Sequence, residues 1–230
     1  MNYISEGFFQ AIQLIFAMDE ETWSAVITTI RLTSLSMFCT LVIGIPLGFV
    51  LGYFDFPGRR AIRTVVDTML ALPTVVVGLL VYAFISNRGP FGQWRLLFTV
   101  EGMAIGQTIL ALPIVMALSA TAVEGLEERL RMTLRTLGAS GRRMAMTCLY
   151  ECRFALLVAA VTAYGRIVAE VGVSMMLGGN IKWNTRTITT AITLETGKGD
   201  FALGIALGLL LLLMSFALNA GLSFLRRREV

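Results

Sequence analysis

LTSLSMFCTLVIGIPLGFVLGYF, residues 32–54, carries no charged side chain. A helix of that length reaches across the hydrocarbon core of a bilayer, which takes about 20 predominantly apolar residues. Three more runs share the property: Thr68–Asn87, Gly102–Val123 and Phe201–Leu225. A fifth, Phe154–Leu177, is equally apolar but holds Arg166 and Glu170. Hydrocarbon offers no partner to an open backbone, so the expected spanning form is helical. The alternating polarity of a membrane barrel is missing. The fold class that follows is an all-α, polytopic integral membrane protein with about five transmembrane helices.

Composition agrees. Of 230 residues, 56% are hydrophobic and 15% charged, and mean hydropathy is +0.76. A soluble domain is about 45–50% apolar and about 25% charged, so a single soluble core of this length would not hide so much apolar surface. The net charge of +4 is read as the positive-inside bias and attraction to anionic lipid. Nucleic acid is excluded as a partner, because no basic stripe is interleaved with stacking aromatics. With no histidine, a Cys/His zinc site is excluded. Cys39, Cys148 and Cys152 are expected to be small buried hydrophobes in a reducing compartment. No cofactor is implied, and no P-loop, GxSxG or acid cluster marks an enzyme.

Charge also orients the chain. Residues 1–23 hold Glu6, Asp19, Glu20 and Glu21 and no base. They are expected to form an N-terminal amphipathic segment, because the apolar stretch Phe8–Ala17 is too short to span. Neither is a cleavable signal expected there, since a secretory leader begins with bases. The first loop (Arg59, Arg60, Arg63), the third (Arg129, Arg131, Arg135, Arg142, Arg143, Arg153) and the tail (Arg226, Arg227, Arg228) carry twelve bases. The second (Arg88, Arg95) and fourth (Lys182, Arg186, Lys198) carry five. The expected topology places the N-terminus outside and the C-terminus in the cytoplasm. Pro46, Pro73 and Pro113 favour kinks inside spans, and the glycines of Gly44–Gly52 and Gly204–Gly208 allow close helix approach. No linker, repeat or low-complexity tract divides residues 1–230, so a single domain is expected.

The third loop, residues 124–153, is too polar to span and too patterned to be slack. Leu126, Leu130, Leu134 and Leu137 recur at helical spacing. Gly138 and Gly141 interrupt that helix, and a second short one starts near Arg142. Such a helix pair is either a docking surface on the cytoplasmic face or an interfacial pair lying on lipid.

The loop resembles the coupling segment of ABC-importer permeases. TLRTLGAS, residues 133–140, matches the family's LGAS core with its glycine at Gly138. The triplet that precedes this core in the family falls here on Met132, Thr133 and Leu134, and the Leu-Pro that follows falls on Tyr150 and Glu151. LPTVVVGLLVYAFISNRGPFG, residues 72–92, and GRIVAEVGVSMMLGGNIKWNTRTITTAI, residues 165–192, are similar to segments of molybdate and tungstate permeases. LYECRFALL and NTRTITTAI look most like the tungstate branch. The resemblance implies a type I importer permease of the inner membrane, working as a homodimer with cytoplasmic ABC ATPase subunits and an extracytoplasmic oxyanion-binding protein. It implies tungstate as cargo, with molybdate or sulfate as alternatives. It also implies that Leu134, Leu137, Gly138, Ala139 and Ser140 couple the spans to the ATPase. A membrane-embedded enzyme or a passive channel would need neither partner.

Two further groups are candidates for the path. Arg166 and Glu170 lie four apart and would face each other across a helical turn. Each alone in mid-membrane costs roughly 2.5–3.5 kcal/mol on insertion scales. Paired, they either line or brace the path, or serve as a structural ion pair. Thr187, Thr189 and Thr190, with Thr185, either donate hydrogen bonds to a passing oxyanion or cap a short re-entrant helix.

Overall fold

The computed structural model describes residues 3–16, 19–126, 132–134 and 136–227, and their regular structure is entirely helical. Arg129, Leu130, Arg131 and Arg135 of the third loop, and Arg228 of the tail, lie outside the described residues. The helices are α1 (Tyr3–Phe16), α2 (Glu20–Tyr53), α3 (Arg59–Met69), α4 (Thr74–Ile85), α5 (Val100–Glu124), α6 (Gly141–Glu151), α7 (Arg153–Val168), α8 (Gly172–Gly178), α9 (Ile188–Lys198) and α10 (Phe201–Arg227). A 3₁₀ turn covers Gly92–Trp94.

Of the five expected spans, the described residues show two helices long and apolar enough to cross a membrane, or up to four if each bent helix pair is one span. α2 and α5 are each long and apolar enough to cross a membrane. At 34 residues, α2 is about 51 Å long, well beyond the hydrocarbon core, so it begins earlier than the charge-free run suggests. Its start is set by Asp19, whose carboxylate accepts from the Thr22 N–H at 2.8 Å and the Thr22 hydroxyl at 2.6 Å. Those bonds hold the Asp19 carboxyl below its usual pKa, and Glu20 and Glu21 complement the helix dipole in the first turn. The run Thr68–Asn87 is split between α3 and α4, because Pro73 lacks an N–H and disfavours helical backbone at Leu72. α6 and α7 meet at 61°. The run Phe154–Leu177 is split again between Val168 and Gly172.

Two compact units are built from alternating stretches of the chain. The first comprises Met1–Ser36, Pro73–Leu110 and Gly165–Val230. In its core Val173 and Leu177 of α8 pack with Val77 and Val81 of α4 and Met103 of α5. Gly106 makes this contact possible: a Cβ there would sit 2.5 Å from Val173 Cγ1. Ile188 and Ala191 of α9 form a second cluster with Ala25 and Leu207. α1 lies against α10, where a Cβ on Gly7 would meet Ile205 at 2.7 Å, and it leaves Phe8 and Phe9 exposed.

The second unit comprises Met37–Leu72 and Ala111–Tyr164. Here Gly48 and Gly52 bring α2 onto the backbone of α5, with Cβ positions only 2.7 Å from Met116 O and 2.5 Å from Ala120 O. The expected close approach over Gly44–Gly52 is therefore a backbone-to-backbone seam. Next to it Arg59 binds Asp55 at 2.5 Å and Glu124 at 2.7 Å. Arg63 donates to the Thr121 hydroxyl at 2.7 Å. First-loop bases thus fasten the polar ends of α2, α3 and α5 together.

Candidate functional site

Residues 169–171 interrupt the fifth apolar run inside the first unit. A helix end normally leaves carbonyls and N–H groups unpartnered, which is costly away from water. Three of the groups loosened here have a defined partner. Ile167 C=O accepts from Glu170 N–H at 3.2 Å and from Gln107 Nε2 at 3.3 Å. Glu170 C=O accepts from the Thr189 hydroxyl at 3.1 Å. Glu170 Oε1 accepts from Val173 N–H, also at 3.1 Å, at the start of α8.

The expected ion pair forms: Arg166 Nη1 lies 3.1 Å from Glu170 Oε2. Its setting differs from one helical turn, because Glu170 sits past the end of α7. One carboxylate thereby does two tasks, neutralising Arg166 with one oxygen and capping α8 with the other. The two partners are unequally placed: the Glu170 side chain is 3% exposed and that of Arg166 44%. Gly165, Arg166 and Ala169 share the exposed side of this segment.

The threonines stand behind the interruption. Thr187 is the N-cap of α9 and forms a reciprocal capping box with Thr190. Thr187 and Thr189 hydroxyls are 2.9 Å apart, and the Ile188 N–H donates to Thr29 Oγ1 at 3.0 Å. Thr185 donates to Gly178 C=O and accepts from Ile181 N–H. All four threonines are buried. Of the two roles open to them in the sequence, capping and bracing is the one their hydrogen bonds describe. The loop between α8 and α9 has left-handed backbone at Gly179, Asn180 and Trp183. Lys182 and Arg186 tie it to Glu21 at the start of α2.

The coupling-loop candidates lie in the second unit. Leu134 packs on a cluster of Phe49, Val123, Met144, Cys148 and Cys152. The two cysteines are buried and unbridged, as expected of small hydrophobes. Gly138 has φ +68°, and Ala139 N–H reaches back to Leu134 C=O at 3.0 Å. That is a Schellman ending, in which the left-handed position suits glycine. Ser140 then leads into α6. Leu137 is 76% exposed, and Met132, Met146 and Tyr150 of the same loop are also exposed.

Gln107, Ser36 and Thr29 were hidden from the sequence reading by the apolar runs around them. The available signal is the amide of Gln107 inside a charge-free run, since a polar group in a membrane helix needs a partner. Among the described residues no group of His, Cys, Asp and Glu is arranged to hold a metal.

Helices long and apolar enough to cross a membrane, joined by bent and broken helices, define an all-helical multi-span membrane protein. More particularly, residues 44–229 match the family described as binding-protein-dependent transport system inner membrane component, and the chain belongs to it. It is 52% identical to a tungstate uptake system permease protein of Campylobacter jejuni, over 95% of this chain and 92% of that one. It is 34% identical to a protein of the same description from Peptoclostridium acidaminophilum, over 96% of each. The fold resembles a bacterial alginate ABC transporter crystallised with its pentasaccharide-bound periplasmic protein: TM-score 0.80, 19% identity, 98% of this chain and 86% of that one. The chain is therefore a multi-pass inner-membrane permease of an ABC system that works with an ATPase and a binding protein, and it is not the catalytic component.

The unequal burial of the pair gives a directional prediction. Arg166→Gln leaves Glu170 buried and unpaired, whereas Glu170→Gln leaves a half-exposed guanidinium and an amide oxygen that still caps Val173. Arg166→Gln should cost about 2–3 kcal/mol, below the range for fully buried pairs, and more than Glu170→Gln. The double variant should resemble Glu170→Gln alone. Thermal unfolding in detergent across the four proteins checks this, and additive losses would show that the two side chains do not interact.

Proposed function

We propose that this permease imports an oxyanion, tungstate first, through a path closed by a second copy of the chain. The observation that carries the cargo is the similarity, along nearly the whole chain, to permeases described as serving tungstate uptake. Molybdate and sulfate are the alternatives within the same machinery. The chemistry is compatible: a half-exposed Arg166 attracts a tetrahedral dianion, and Glu170 tempers that attraction so that the anion can leave. The threonines at 187, 189 and 190 hold this pair in place from behind. A homodimer is supported by the exposure of Arg166 in an apolar run, since a guanidinium facing hydrocarbon is costly and a water-filled path between two copies removes that cost.

The loop built on Leu134, Leu137, Gly138, Ala139 and Ser140 is assigned to the ATPase. Its apolar tip is exposed and its backbone is fixed by the Gly138 turn. The positive-inside bias puts this loop and the C-terminus in the cytoplasm, with α1 and the acidic start of α2 outside. ATP-driven closure of the ATPase pair then reaches the spans through the loop, and the path alternates between the two sides.

Two outcomes follow. A cysteine in place of Leu137 should react with a charged thiol reagent from the cytoplasmic side only, and bound ATPase should protect it. Labelling from outside would overturn the orientation, and labelling indifferent to the ATPase would overturn the docking assignment. Second, the reconstituted complex should accumulate tungstate. Exchanging its binding protein for a molybdate-selective one that still docks should shift uptake to molybdate, because dianions so alike in shape give a pore little to discriminate. Uptake of neither anion, nor of sulfate, would remove the oxyanion assignment.

A further inference from the structure

Gln107 lies in the charge-free run of α5, about two turns after Val100, and is 2% exposed. Its amide is used on both sides. Nε2 faces Ile167 C=O at 3.3 Å and Ser174 Oγ at 3.4 Å, while Oε1 lies 3.0 Å from the Ser36 hydroxyl of α2. Ser36 shares its one proton between this oxygen and Leu32 C=O at 2.7 Å. One side chain thus joins α2 and α5 to both sides of the interruption: the last turn of α7 through Ile167, and the first turn of α8 through Ser174. Gly106, beside it, lets Val173 and Leu177 sit directly on α5.

We infer that Gln107 is a positioning residue for the transport step, a latch that fixes the interrupted segment 167–174 and with it the Arg166–Glu170 pair. This rests on the assignment of Arg166 to the path. Three features argue for a latch over passive filling. An amide in hydrocarbon is costly unless satisfied, and here every bond it makes is long-range in sequence. Ile167 C=O is next in sequence to Arg166, so holding that carbonyl holds the turn that aims the guanidinium. Both donor contacts, at 3.3 and 3.4 Å, are longer than the usual N–H···O range of about 2.7–3.2 Å. They are weak enough to be given up and remade as the segment moves through a cycle, which a short charge-assisted bond would resist.

The test uses the full chain with its ATPase and binding protein in lipid nanodiscs and proteoliposomes. Gln107→Leu keeps the shape and removes the bonds; Ser174→Ala removes one partner. In Gln107→Leu, amide hydrogen exchange over residues 167–174 should accelerate about tenfold, the consequence of losing the buried bonds to Ile167 C=O and Ser174 while Ile167 C=O keeps only its local bond from Glu170 N–H. Exchange in α1 and α10 should be unchanged. Maximal tungstate uptake per assembled transporter should fall by about the same factor, while half-saturation by loaded binding protein stays the same. Ser174→Ala should give a smaller acceleration at the same residues, and the double variant should match Gln107→Leu alone.

Unchanged exchange at 167–174, acceleration spread evenly over the chain, or additive effects of the two substitutions would each overturn the latch. Should Gln107→Leu fail to insert, Ser174→Ala carries the same exchange test alone. The exchange readout does not depend on cargo, so a wild-type complex that carries no tungstate would remove the cargo reading while the latch is still judged on exchange.

Discussion

Hydrocarbon supplies no hydrogen bond to a broken backbone, and the interruption at residues 169–171 is organised around that constraint. Specific partners meet three of the groups loosened there: Gln107 and Glu170 N–H for Ile167 C=O, Thr189 for Glu170 C=O, and Glu170 Oε1 for Val173 N–H. These partners come from α5, α9 and the break itself, so the packing of the first unit follows from where they must stand. The small residues Gly78 and Gly106 serve the same end by letting α8 approach closely. Once the break is satisfied, a carboxylate is held almost without solvent and an arginine is left half in it. That is the asymmetry on which the functional reading depends.

The second unit meets a different constraint, that of seating a polar loop on a packed base. Its ends are fastened by Arg59 and Arg63 with Asp55, Asp67, Glu124 and Thr121. Its helix α6 is seated by Met144, Cys148 and Cys152. With Leu134 turned inward and Leu137 outward, the Gly138 turn presents a small apolar tip on a fixed base.

Much of this was legible in the sequence because its signals are strong. Charge-free runs of about 20 residues have one common interpretation, and the glycine of TLRTLGAS marks a helix end by its backbone freedom alone. The ion pair was legible from spacing, although spacing placed Glu170 inside a helix that ends before it. What was not legible is how a break is compensated, because that depends on residues distant in sequence. Gln107 is 60 residues from Ile167, and Thr29 is 159 from Ile188. In the sequence each is one uncharged polar residue in an apolar run. For the threonines at 187–190, spacing allows both donation to an anion and capping, and the capping bonds depend on neighbours that spacing does not give.

The central claim is that the side of α7 bearing Arg166 faces water in the assembled transporter. Gly165 has open space at its Cβ position, so Gly165→Cys tests that face without touching the ion pair. Phe216 on α10, 73% exposed in the single chain, is the matching site expected to face lipid. In a background with Cys39, Cys148 and Cys152 replaced by alanine, a charged, membrane-impermeant thiol reagent should modify Gly165→Cys in the assembled complex and leave Phe216→Cys untouched. Silence at both positions, or reaction at Phe216→Cys alone, would contradict the account.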